Sequence, residues 1–207
     1  ADLVRCNSLF DENKIQLKAG KMMVTYSYKG KMAPVFDDRN NRLNGKLVGH
    51  LVLENGGFTY VAQGMNFTRM NSAIRFNEKV FDVSFLHLNH QKNQIRISGK
   101  ITGLLPYVFN SSGKVTGDMS IYTPDLGLDW IRSYHTGAKK QSQKRFTDLL
   151  DKIFNHLEIK AVLVADKVHY RKFQADKVKG RVYLSEQLVK CENVKMQAFG
   201  GDFQVTG

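Results

Sequence analysis

Two histidines separated by two residues, His87 and His90 in His-Leu-Asn-His, are the sequence's nearest approach to a metal site. Imidazoles at that spacing can share an ion from one face of a helix. A structural zinc site needs four ligands, however, and no cysteine or carboxylate stands beside this pair to complete a set. The flanking pattern places them at a strand end running into a turn. The other histidines, His50, His135, His156 and His169, are scattered. Ser111-Ser112 and Ser185-Glu186 bring hydroxyls without a paired base, and Asp37-Asp38 lies among turn residues, where carboxylates are solvated. There is no Gly-rich phosphate loop ending in Lys-Ser/Thr, no His-Glu-x-x-His and no Gly-x-Ser-x-Gly. The expectation is a non-enzymatic protein that needs no metal and no cofactor. Cys6 and Cys191 stand at opposite ends of the chain. Two residues make no disulfide framework, and both are expected as free thiols.

The elements that would position these residues are mostly strands. Period-two alternation recurs in Met22-Val24-Tyr26-Tyr28, Leu47-Gly49-Leu51-Leu53, Phe58-Tyr60-Ala62, Ile74/Phe76, Phe81-Val83-Phe85, Ile95-Ile97-Gly99-Ile101 and Val115-Gly117-Met119-Ile121. It resumes beyond residue 157 through Val162, Val168, Val182, Leu184, Val194, Phe203 and Val205. Asn-, Gly- and Asp-rich breaks separate the runs, such as Asn55-Gly56-Gly57 and Gly200-Gly201. The pattern predicts a mainly β protein: a large, curved antiparallel meander of about 10–13 strands, shaped as a groove or a sandwich.

The middle of the chain reads differently. Phe146, Leu149, Leu150, Ile153, Phe154 and Leu157 follow helical spacing, which predicts an amphipathic helix over about 142–157 with Ser142 as its cap. Thr123-Pro124 resembles a helix start, which predicts a shorter helix over about 124–134. The whole is read as one domain, 1–207, with a helical insertion at about 123–157. The strand–turn–strand pattern of Val48 to Phe58 also parallels Lys179 to Leu188, a weak internal repeat of a stacked β-module.

The chain carries 31 Lys+Arg against 19 Asp+Glu, a net charge of +12 over 207 residues. The excess is spread along the alternating strands and forms no basic tail. It therefore reads as the polar side of a sheet with an affinity for anionic partners, and nucleic acid is not expected. No apolar run reaches the ~20 residues of a membrane-spanning helix. The chain also opens without a signal-like segment, so it is read as a piece of a longer one.

The large apolar face is the remaining feature. Leu51, Leu53, Phe58, Phe76, Phe81, Val83, Phe85, Ile95, Ile97, Ile101, Val182, Leu184 and Phe203 are the candidates for its lining. Such a face must be covered by a second sheet, a helix or a ligand, since each side chain gains ~1.5–3 kcal/mol by leaving water. Arg75, Arg96, Lys100 and Arg181 are the candidates for holding anionic headgroups at the edge of a groove, with the Lys139–Arg145 cluster as a further one.

Several stretches resemble the AsmA-like family of bacterial envelope proteins. They are Asn71-Ser72-Ala73-Ile74-Arg75-Phe76-Asn77, Val83-Ser84-Phe85, Asn93-Gln94-Ile95-Arg96-Ile97-Ser98-Gly99 and Thr123 to Asp129. In the last third they are Leu163 to Tyr170, Val178-Lys179-Gly180-Arg181-Val182 and Met196 to Phe203. The resemblance covers roughly residues 45–207 and carries no catalytic signature. It implies a C-terminal periplasmic domain of a chain anchored at the inner membrane, similar to the bridge-like lipid transfer proteins. The implied cargo is phospholipid or another acyl lipid in an apolar β-sheet groove, in outer-membrane biogenesis. Envelope proteins are implied as further partners, and membrane contact would come through an anchor or the 142–157 helix. The alternative expectation is a structural β-module of the envelope that binds a protein or glycan by its surface.

Overall fold

The computed structural model describes residues 1–9, 13, 15–31, 36–37, 42–61, 64–110, 114–128, 157–185 and 188–206. Ten strands form one open sheet in the order β1-β4-β5-β6-β7-β8-β9-β10-β11-β12. They are β1 (Ile15–Gly30), β4 (Gly45–Tyr60), β5 (Met65–Asn77), β6 (Val80–His90), β7 (Asn93–Thr102), β8 (Val115–Gly127), β9 (Leu157–Tyr170), β10 (Phe173–Ser185), β11 (Leu188–Ala198) and β12 (Gly201–Val205). Two short strands, β2 (Phe36–Asp37) and β3 (Arg42–Leu43), pair within the β1–β4 connection. A 3-10 helix (Leu3–Leu9) packs on β1, and a single helical segment, α1 (Leu104–Asn110), joins β7 to β8.

Every neighbouring pair in the sheet is antiparallel except β8 and β9. Val115 stands beside Leu157 and Gly127 beside His169. β8 therefore ends, and β9 begins, at opposite ends of the sheet. The predicted 142–157 helix lies outside the described residues except at Leu157, which opens β9. The predicted 124–134 helix is corrected at its start, because Pro124–Gly127 continues β8 as strand and Leu128 is not helical, while 129–134 lie outside the described residues. Thr-Pro is a helix-start signal, but the ladder to β9 overrides it. The β7 ladder ends at the Arg96–Tyr122 pair, so β8 is paired on one side only where Pro124 sits, and a residue without an N–H is tolerated there.

Side chains alternate between faces, and directly paired residues share a face. Following the register from strand to strand sorts the molecule. Val24, Leu51, Ile74 and Val83 stand in one row. Phe76, Phe81 and Ile101 form a second row, and Leu86, Ile97, Ile121 and Leu163 a third. All belong to the same face. The other face carries Arg75, Asp82, Lys100, Asp118 and Lys160, which pair across β5 to β9 with alternating charge. Unlike charges directly opposite one another on adjacent strands are favourable, so this row helps hold the register.

Bulges bend the strands and reset the alternation. Left-handed residues at Asn55, Arg69, Lys177 and Asn193 mark four such places. In β6, Ile74 pairs with Val83 but Ala73 pairs with Phe85, leaving Ser84 as the extra residue. The apolar face therefore continues through Leu86 and Leu88, and Phe85 swings to the polar face, 38% exposed. Val83→Ala, at a side chain only 4% exposed, is expected to cost about 1.5 kcal/mol, whereas Phe85→Ser should stay within about 0.5 kcal/mol. Urea midpoints of the two variants measure this difference.

Candidate functional site

The apolar face is the molecule's main surface feature. Among the described residues the buried apolar side chains include Leu17, Val83, Leu88, Val115, Ala161, Ala165 and Val178, all of this face. No second sheet covers it among the described residues, and most of its other members, including Leu51, Phe76, Phe81, Ile97, Ile101 and Leu184, are half-buried. Towards both ends of the sheet exposure rises, to 43% at Val24 and 73% at Tyr26 in β1, and to 44% at Phe203 and 49% at Val205 in β12. The row is thus continuous and open at its ends. Ten strands at ~4.8 Å spacing span about 43 Å across the sheet.

Glycines keep the floor low. At Gly49 a Cβ would lie 2.2 Å from the Phe76 ring, and at Gly180 2.9 Å from a Val194 methyl. Each absent side chain lets a neighbour's fold flat across the strand, so the surface is smoother than ten rows of branched residues would make it. This gives the repeated Leu-Val-Gly and Val-Lys-Gly patterns of β4 and β10 a common physical role.

At one rim the floor becomes aromatic. Leu17, Phe58, Phe67 and His90 share successive register positions. Phe58 stacks on Phe67 at 4.7 Å between ring centroids, and Phe67 lies 5.1 Å from the His90 ring. His90 is 4% exposed, and its Nδ1 stands 2.9 Å from the Asn66 carbonyl. His87 points to the opposite face beside Phe85, so the strand separates the two histidines that a shared ion would need together.

At the other rim α1 folds over the strand ends. Gly103, with φ +76°, makes the turn out of β7, and Tyr107 and Val115 are buried at 2% and 0% exposure. Between α1, the β1–β4 connection and the β5–β6 turn lies a cavity of about 610 Å³ lined by Lys31, Leu43, Asn44, Gly45, Glu78, Lys79, Gly103 and Pro106. Residues from the β1 end and from beyond β7 meet in it, so the sheet curls here. The size falls within the range of ligand pockets.

All the predicted lining residues lie on the apolar face except Phe85, which the β6 bulge turns away. Arg75, Arg96, Lys100 and Arg181 are exposed on the polar face, back to back with the lining. Strict alternation puts the residue next to an inward apolar position outside, and none of the four sits at a strand end where it could reach around. Arg96 instead stacks over Tyr122 at 5.5 Å, whose hydroxyl donates to Asp166 at 2.6 Å. That bond and the nearby carboxylate raise the Tyr122 pKa above the ordinary value. Arg181 pairs with Glu192, whose carboxylate the Lys190 ammonium holds below the usual range. The Lys139–Arg145 cluster lies outside the described residues. Two basic residues at a rim, Lys31 and Lys79, line the cavity. Sequence reasoning missed them because turn lysines carry no periodic signal. It also left out Leu86, Leu88, Met119, Ile121 and Leu163, which complete the lining.

Cys6 and Cys191 are both free thiols. No helix among the described residues is long and apolar enough to cross a membrane. No family model matches the chain, and neither a curated protein nor a solved structure is significantly similar to it.

Proposed function

We propose that this chain is a non-enzymatic lipid-carrying domain of the AsmA-like type, which holds acyl chains on the apolar face of its sheet during phospholipid transport in the bacterial envelope. In this reading it works in the periplasm, as part of a protein anchored at the inner membrane. One observation carries the proposal: a continuous apolar row runs across ten strands, smoothed by glycines, exposed at both ends and uncovered by a second sheet among the described residues. A soluble monomer rarely leaves so large an apolar face without an occupant. Half a bilayer's hydrocarbon core is about 15 Å thick, so a row of about 43 Å takes more than one acyl chain end to end. Lys31 and Lys79 at the rim supply the positive charge that a phosphate headgroup requires.

Native mass spectrometry of protein purified without detergent, with extraction and identification of bound lipid, tests the reading. Co-purifying phospholipid at one or more per chain is the expected result. A chain that is lipid-free, and that takes up no fluorescent phospholipid from vesicles, overturns it in favour of a surface-binding envelope module.

A further inference from the structure

The cavity at the curled corner of the sheet carries charge of both signs. We propose that it binds a phosphodiester bearing a primary ammonium, the headgroup chemistry of phosphatidylethanolamine, with Lys31 and Lys79 on the phosphate and Glu78 on the ammonium. As a lipid site it rests on the lipid-carrying reading, whereas the charges that recognise the headgroup stand on their own.

The register places the cavity where the apolar row ends. Phe76 pairs with Phe81, and their rings stack at 5.2 Å between centroids. The next residues outward are Asn77 and Val80, and Glu78 and Lys79 form the turn between them. Asn77 fixes that turn, because its Oδ1 accepts from the N–H groups of both Lys79 and Val80 at 2.9 Å. Lys31 reaches the same corner from the end of β1. Its N–H donates to the Asn44 carbonyl at 3.0 Å, and its own carbonyl accepts from the Tyr28 hydroxyl at 2.8 Å. Gly30 and Gly45 bring their two backbones together there, since a Cβ at Gly30 would lie 2.5 Å from the Gly45 Cα. The segments that carry the charges are thus held by hydrogen bonds to their backbones, while Leu43 and Pro106 make the apolar part of the lining. An acyl chain lying on the Phe76–Phe81 row meets this cavity with its polar end.

Charge selects the headgroup. Lys31, Lys79 and Glu78 make no ion pair among the described residues. Two ammonium groups suit one phosphate, whose oxygens accept from both. Glu78 is half-buried, and its Oε2 accepts from the Leu47 N–H at 3.4 Å, longer than the usual bond. A headgroup that covers this carboxylate must supply a donor, or the carboxylate loses water without replacement. A primary ammonium supplies charge and N–H together. A choline headgroup has the same charge but no N–H, and a glycerol headgroup has hydroxyls but no positive charge. Glu78 therefore discriminates among headgroups that the two lysines alone would hold alike.

The test mixes the protein with vesicles of equimolar phosphatidylethanolamine, phosphatidylcholine and phosphatidylglycerol, re-isolates it and measures retained lipid by mass spectrometry. Phosphatidylethanolamine is expected at least tenfold above either of the others. Glu78→Gln should bring the three to near parity. Lys31→Ala combined with Lys79→Ala should lower all three, because the phosphate is common to them. Lys100→Ala combined with Lys160→Ala removes the same charge from the polar face and should change nothing; an equal loss there overturns the phosphate assignment. A second arm uses water-soluble glycerophosphoethanolamine and glycerophosphocholine, followed by NMR shifts of the Glu78 and Lys79 amides. The first should give a saturable shift that Glu78→Gln abolishes, and the second none. Lipid retained without headgroup preference, or a preference that Glu78→Gln leaves intact, overturns the headgroup site and leaves the lipid-carrying reading standing. No retained lipid but saturable binding of glycerophosphoethanolamine sinks the lipid-carrying reading and supports the cavity as a site for the free phosphodiester. Neither lipid nor soluble headgroup bound overturns both. Should Glu78→Gln lose its β-sheet circular dichroism, the parent's ratio of ethanolamine to choline lipid decides alone.

Discussion

Replacing Gly99 with alanine is expected to remove about 3 kcal/mol or more of stability, the largest loss from any single added methyl group in the sheet. Gly99 sits in β7 between Val83 and Met119, in the middle of the sheet. Its φ of +143° belongs to a region that side-chain-bearing residues scarcely occupy. A Cβ there would stand 2.1 Å from the Asp118 carbonyl oxygen and 2.8 Å from the Met119 Cα. Both are backbone atoms, so no rotamer change relieves the clash. Either β7 moves away from β8, breaking ladder bonds of about 1 kcal/mol each, or the backbone rotates and takes the register with it. Gly117→Ala is the matched control. Gly117 lies on the same face in the next strand, its φ is ordinary, and its nearest neighbour would be 3.6 Å away. That variant should unfold within about 0.5 kcal/mol of the parent. A Gly99→Ala protein whose urea midpoint matches Gly117→Ala would show that the β7–β8 seam is not close-packed.

Gly99 also indicates what a sequence of this kind conveys. The alternation Ile95-Ile97-Gly99-Ile101 identifies a strand and its apolar face, and both are correct in the structure. It cannot tell a glycine that spares a neighbour's ring, as Gly49 does, from one the backbone requires. Period-two reading fails for the same reason at Phe85. An inserted residue such as Ser84 leaves no compositional mark, and every position beyond it changes face until the register is counted from the partner strand. The headgroup candidates show the same geometry: Arg75, Arg96, Lys100 and Arg181 alternate with apolar residues, and in a strand that adjacency places them on the opposite face. Thr123-Pro124 shows local chemistry losing to a tertiary ladder. What was legible was therefore the mainly β class, one large sheet and the apolar side of most of its strands, whereas a groove and a sandwich could not be told apart. The sheet's strand order, its one parallel pair and the basic rim at Lys31 and Lys79 depend on contacts between residues far apart in the chain.

Ile97→Glu is expected to reduce retained lipid at least tenfold while leaving the protein folded. Ile97 is half-buried at the centre of the apolar row, with Leu86 on one side and Ile121 on the other. In the empty trough a glutamate there can reach water, so the stability loss is limited to the transfer term of one partly buried isoleucine, about 1–2 kcal/mol. An acyl chain lying along the row would cover that carboxylate. The group must then lose its water without gaining a donor, or bind a proton, and either is a penalty that only the lipid-loaded state bears. A tenfold loss corresponds to only about 1.4 kcal/mol, less than such a penalty. Ser98→Glu isolates the cause, because it introduces the same charge one residue away, on the polar face opposite Ser120. Its lipid content, measured by mass spectrometry after detergent-free purification, should equal that of the parent. Equal losses in both variants would trace the effect to net charge or folding. No loss in either would mean that acyl chains do not run across β7, and the trough would then hold no continuous path from β1 to β12.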